Sequence, residues 1–258
     1  MSVTQAQVEA GLQKAIDLYE VRNLANKIPY YLSNFEMKEF VTLFTEDATI
    51  AMPWGTYDNS NGEKAAEICF LQDYGDRDDP AMQEILKGCG MIFEWGSEML
   101  IFAEDGQTAR GMWTSQGAES YGKYIYNRQQ RGESFWSFHK FGIDFKKTLE
   151  GWKIWHMAVY VLYRIPCTGT WKDRHPYQGF LLNRTHCTNF PLTQPFVYAI
   201  DAMQPHDQPT PPQPYKTFSD VAPGYSWEYL PHYGRKIKNG LAEPFDFDGL
   251  EDPNYPQY

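Results

Sequence analysis

The sequence predicts an α+β protein, on three observations. Helical patterns come first, a run of strand patterns follows, and no Gly-rich phosphate loop interrupts them. Segregated helices and strands place helices over one face of a curved sheet, whereas an α/β fold would alternate the two. The 258 residues are 42% hydrophobic and 16% aromatic, enough for one domain with a sizeable aromatic core and an appendage.

Residues 4–33 carry Val8, Leu12, Ile16, Tyr19, Leu24, Ile28 and Tyr31 at helical spacing. Pro29 lacks the N–H a continuous helix would use, so a kink or division is expected there. A short helix is expected at 36–44 (EMKEFVTLF), a strand at 48–54 (ATIAMPW) and a helix at 62–72 (GEKAAEICFLQ). Residues 73–90 read as a charged loop and a helical turn or two. Strands follow at 91–103, 107–117, 133–147 and 152–164, joined by AEDGQ (103–107) and LEGW (149–152), whose glycines suit a positive φ. Residues 118–132 are too long for a tight turn and are expected to pass over a pocket mouth. A domain over 1–164 is thus followed by a Pro- and aromatic-rich arm over 165–258. Its Phe and Tyr residues argue against disorder and for packing on its own domain or a neighbouring subunit.

The balance of 23 Lys+Arg against 33 Asp+Glu gives a net charge of −10. Such a chain repels phosphates, which argues against nucleic acid or an anionic membrane as partner. No apolar run approaches the roughly 20 residues that span a bilayer. Cys69, Cys89, Cys167 and Cys187 form no CxxC pair, and the opening MSVTQAQVEAGLQ has neither a basic nor an apolar region. Reduced thiols in a cytoplasmic protein are expected. His175, His186 and Cys187 fit no standard zinc spacing, so no metal is expected, and without a Gly-rich phosphate loop no cofactor is expected either.

Two-residue alternation puts Phe135, Ser137, His139, Phe141, Ile143 and Phe145 on one face of the third long strand. That face carries fewer charges than its opposite, so it should point inward. A histidine among aromatics is commonly a satisfied core residue; aimed into a pocket, His139 would suit a general base. The same alternation groups His156 with Trp152, Ile154, Ala158 and Tyr160 on the last strand, where it would line the pocket or pack. Glu94 would act as acid or base if it points inward, and would be solvated otherwise. Tyr30 and Tyr31 fall near the end of the first helix, where a phenol could hold a substrate oxygen. Trp54, Trp113 and Phe141 are candidates for an aromatic pocket wall, and Arg110 and Lys140 for anchors of a phenolate.

Three segments in order, VRNLANKIPYYLSNFEMKEFVTLFTEDATI (21–50), FEWGSEMLIFAEDGQTARGMW (93–113) and HKFGIDFKKTLEGWKI (139–154), resemble the SnoaL-like branch of the NTF2-like superfamily. The resemblance covers about residues 10–164 and implies a cone-shaped α+β barrel, a curved antiparallel sheet and helices enclosing one apolar pocket. Its members include dehydratases, dehydrochlorinases, isomerases, polyketide cyclases and binding modules, so fold leaves function open. Scytalone dehydratase-like members keep a catalytic histidine on the strand before the DGxWK turn, and counting back from Trp152 places His139 there. Their aspartate at the end of the first helix pair falls on Asn34, and their second histidine on Glu94 or Phe93. The familiar dyad is therefore replaced. Total length and the aromatic arm are also similar to the diarylpropane lyases that release formaldehyde from lignin-derived phenolic dimers.

These readings converge on a cofactor-independent lyase for a small hydroxylated aromatic molecule, with His139 moving a proton and Tyr30 or Tyr31, with Asn34, holding substrate oxygens. The competing readings are a non-catalytic binding or assembly module and a dioxygenase β subunit. A homodimer or homotrimer is expected.

Overall fold

The computed structural model describes residues 3–52, 55–121, 133–168 and 211–220, with strand pieces at 237–238 and 241–242. Helix α1 (Gln5–Asn34) opens with a capping box. The Thr4 hydroxyl accepts the Gln7 N–H at 3.3 Å, and the Gln7 side chain accepts the Thr4 N–H at 2.9 Å. The helix runs on through Pro29 without dividing. Proline removes one ladder hydrogen bond, and the buried flanks Ala25, Ile28 and Leu32 hold the turn in place. Phe35, in the left-handed region at φ 55°, ends it.

Only the second half of α1 packs. Val21, Leu24, Ala25, Ile28 and Leu32 are buried, whereas Val8, Leu12, Ile16 and Tyr19, at the same helical spacing, are exposed. The change falls at Asp17, whose carboxylate accepts from Lys147 Nζ at 2.7 Å, Trp152 Nε1 at 3.0 Å and Gln13 at 3.2 Å. Burial pushes this carboxyl up, and the hydrogen bonds more than offset it, holding it below the usual aspartate range.

Helix α2 (Met37–Val41) is capped from a distance, its Lys38 N–H donating to Asp76 at 2.7 Å. The expected helix at 62–72 is a π-helical segment, Glu67–Tyr74, and α3 (Pro80–Ile85) follows with Asp79 as N-cap. Phe40, Phe44 and Phe70 meet between these helices and the sheet, with ring centroids 4.5–5.7 Å apart.

The strands are β1 (Phe44–Met52), β2 (Gly55–Tyr57), β3 (Gly90–Phe102), β4 (Thr108–Tyr121), β5 (Glu133–Thr148) and β6 (Gly151–Pro166). They form one open sheet in the order β2-β1-β6-β5-β4-β3. The sheet is mixed rather than wholly antiparallel, because β1 lies parallel to β6. Turns at Gly106 (φ 68°) and Gly151 (φ 107°) have the positive φ expected of them. The anticipated strand at 48–54 begins earlier, at Phe44, and β4 continues to Tyr121, into the stretch read as an excursion. Residues 122–132 lie outside the described residues.

One face of the sheet, here called concave, shares a buried hydrophobic cluster with α1, to which it contributes Trp113, Phe141, Ile143, Phe145, Ile154 and Met157. Residues 211–220 lie along the other, convex face. Glu104 and Asp105 donate their N–H groups to the Tyr215 and Lys216 carbonyls at 3.1 Å. The Tyr215 hydroxyl meets Thr108 at 3.0 Å, and burial pushes this phenol up to about 12. The Phe218 ring sits 4.4 Å from Trp155 and 5.6 Å from the Arg110 guanidinium. Strands β7 (Ile237–Lys238) and β8 (Leu241–Ala242) pair with each other, and most of the remaining arm lies outside the described residues.

Candidate active site

The concave face of β4 and β5 carries a compact group of buried polar side chains. In β5, Phe135, Ser137, His139, Phe141, Ile143 and Phe145 are all buried, as alternation predicts, while Trp136 on the other face is exposed. The cross-strand register sets Ser115 opposite His139, Gly117 opposite Ser137 and Glu119 opposite Phe135. Ser115, Glu119, Ser137 and His139 are each at most 3% exposed.

His139 Nε2 stands 3.8 Å from a Glu119 carboxylate oxygen. That is within ion-pair range and longer than a hydrogen bond. Phe93 meets the imidazole edge-on at 5.4 Å, with Phe141 at 6.1 Å. Trp95 continues this aromatic wall, 5.0 Å from Trp113 and 5.3 Å from Phe141. A Cβ at Gly117 would run into the Ile92 carbonyl and stand 3.1 Å from Phe93, so the position between the polar side chains stays without a side chain.

Glu119, Ser115 and Ser137 are the residues the sequence did not single out for chemistry. Carrying two-residue alternation forward from Trp113 through Ser115 and Gly117 would have reached Glu119. SQGAESY offers few β-branched or aromatic residues, so the strand signal fades there.

The other candidates are dispersed. Trp113 and Phe141 belong to the concave wall. Tyr31 packs partly against the core, while Tyr30 is 72% exposed. Asn34 is exposed at the end of α1, its amide 3.5 Å from Glu36. Glu94 is exposed on β3, because Phe93 and Trp95 take the inward positions. Trp54 lies outside the described residues.

Arg110, Lys140, His156 and Tyr160 share the convex face. Arg110 and Lys140 are there by regular alternation, His156 and Tyr160 through a bulge: Phe145 pairs with Ile154 but Asp144 with His156, so Trp155 is the extra residue and the inward set shifts to Met157 and Val159. Arg110 grips Asp144 through two contacts, Nε at 2.6 Å and a terminal nitrogen at 3.0 Å. His156 Nδ1 reaches the same carboxylate at 3.1 Å and stacks on Trp155 at 4.2 Å. Burial holds the Lys140 ammonium below its usual range.

A curved six-stranded sheet backed by helices, with a buried polar cluster on its concave face, is the NTF2-like architecture. A SnoaL-like domain matches residues 13–158, more than half of the sequence, and the chain belongs to that family. No curated protein matches the sequence. Among solved structures, the chain is similar to an NTF2-like protein with a cystatin-like fold from Novosphingobium aromaticivorans: 15% identity, TM-score 0.45, covering 63% of this chain and 92% of that one. It is also similar to a hexachlorocyclohexane dehydrochlorinase from Novosphingobium barchaimii: 11% identity, TM-score 0.47, covering 62% and 96%. A candidate scytalone dehydratase from Novosphingobium aromaticivorans aligns with 10% identity and TM-score 0.44, covering 58% and 87%. No helix among the described residues is long and apolar enough to cross a membrane.

Proposed function

We propose that the chain is a cofactor-independent lyase performing an elimination on a hydroxylated phenolic aromatic compound, with a lignin-derived dimer as the favoured substrate. The observation that carries this reading is the His139–Glu119 pair, 3.8 Å apart and buried beside Phe93. A carboxylate beside an imidazole lets the pair accept a proton and return it, which is the work an elimination needs. Aromatic walls from Trp95, Trp113 and Phe141 suit an aromatic ring by burial and edge-on packing.

In a dehydration, the pair removes one substrate proton, the released electron pair becomes the new π bond, and hydroxide departs as water after taking a proton. In the carbon–carbon cleavage, the proton leaves a hydroxymethyl oxygen whose lone pair forms the formaldehyde carbonyl. Loss of the benzylic hydroxyl and the phenolic proton as water first forms a quinone methide; the electrons of the broken carbon–carbon bond pass into it, restoring the phenolate, which then takes a proton. Glu119 takes the partner position that the resemblance would have given Asn34.

A non-catalytic binding module is the second reading, favoured by Asn34 standing exposed where an aspartate would be. Incubation with phenolic dimers and hydroxylated monomers, read by formaldehyde release and mass, separates the two. His139→Ala is expected to lower turnover by roughly 10²–10⁴; near-normal turnover in that variant would remove it from the mechanism. The protein is further proposed to act in the cytoplasm as a homodimer or homotrimer, checked by fractionation and sedimentation.

A further inference from the structure

The Ser115 and Ser137 hydroxyls are buried to 3% and 0% exposure and find no hydrogen-bond partner among the described residues. Burying a hydroxyl without a partner is unfavourable, and native interiors rarely leave one so. Both stand beside His139: Ser115 opposite it across the β4–β5 ladder, Ser137 two residues before it on β5. The two serines are diagonal neighbours, about 7–8 Å apart at Cα, and Gly117 between them contributes no side chain. Each hydroxyl can donate one hydrogen bond and accept others.

We infer that Ser115 and Ser137 form the oxygen-recognition element of the site, holding a non-phenolic hydroxyl of the ligand within reach of His139. The assignment rests on the lyase reading for the phenolic part of the ligand and goes beyond it in fixing which residues select the second oxygen. A ligand hydroxyl satisfies both serines and is presented to the His139–Glu119 pair. An otherwise identical ligand lacking it leaves both buried hydroxyls unmet, so discrimination comes from the protein's own unsatisfied groups.

The test uses two probes that differ by one oxygen, 4-hydroxybenzyl alcohol and 4-methylphenol, titrated into the full-length protein and into S115A/S137A. The wild type is expected to bind the alcohol about tenfold more tightly, and the double variant to bind both equally. The unliganded variant should melt at the wild-type temperature or above it, because its removed hydroxyls have no hydrogen-bond partner among the described residues. The inference is overturned if the wild type shows no preference or binds neither probe, or if the preference survives in the double variant. It is equally overturned if the unliganded variant melts several degrees lower. Turnover of phenolic substrates with unchanged KM in S115A/S137A would leave the lyase reading standing and remove this one. A serine-dependent hydroxyl preference without any turnover would do the reverse.

Discussion

The two faces of one sheet each bury a polar cluster, and the clusters differ in how completely they are bonded. On the convex face, Arg110 engages both oxygens of Asp144, and His156 takes a third contact with that carboxylate. Phe218 and Trp155 close over the group. On the concave face, His139 and Glu119 stand 3.8 Å apart, and the Ser115 and Ser137 hydroxyls have no partner among the described residues. The convex cluster, bonded across β4, β5 and β6 and covered by Phe218, ties strands and arm together. In the concave cluster the two buried serine hydroxyls, without a partner among the described residues, retain hydrogen-bonding capacity.

The sharpest way to break this contrast is Asp144→Ala. It leaves the buried Arg110 charge uncompensated and is expected to destabilise the fold by about 3–5 kcal/mol, read by denaturant titration. A loss below about 1 kcal/mol would show that the convex cluster is not structural. Asp17→Asn comes next, weakening the link from α1 to Lys147 and Trp152. An expected loss of about 1–3 kcal/mol should appear in the same titration.

Phe218→Ala tests whether the arm is held by its aromatic contacts. Removing the ring from Arg110 and Trp155 should lower stability by about 1–2 kcal/mol while ligand titrations stay at wild-type values. A tenfold loss of affinity there would mean the two faces are coupled.

The smallest effect is the acid limb of stability. The Asp17 and Asp76 carboxyls are both held below the usual aspartate range. Burial raises each, and hydrogen bonds from Lys147, Trp152 and Gln13, or from the Lys38 and Asp78 N–H groups, more than offset it. Depressed folded-state values mean this stability is present above the unfolded value and lost as pH falls through the lower folded ones. The melting temperature should therefore hold from pH 7 to about 4 and drop below it. A decline starting above pH 5 would assign acid sensitivity to other groups.

How much of this was legible depended on whether a pattern kept its period. The inward face of β5, from Phe135 to Phe145, could be read because its alternation runs unbroken past His139. The same rule failed on β6, where one extra residue at Trp155 carried His156 and Tyr160 to the opposite face. Sequence carries little trace of such a bulge. Glu119 was obscured differently, by a strand continuing through small polar residues whose own propensity is weak. On α1, helical spacing revealed the apolar positions correctly but could not say where the sheet beneath them stops.

That half-supported helix has a thermodynamic consequence. The first three turns of α1 have a capping box but almost no buried surface, and isolated helices of that length are marginal in water. Their amides should exchange with deuterium through local fraying, while those from Val21 to Leu32 should wait for the sheet itself to open. A single unbroken rod thus spans two regimes of opening, with Asp17, tied to Lys147 and Trp152, as the clamp at which fraying stops.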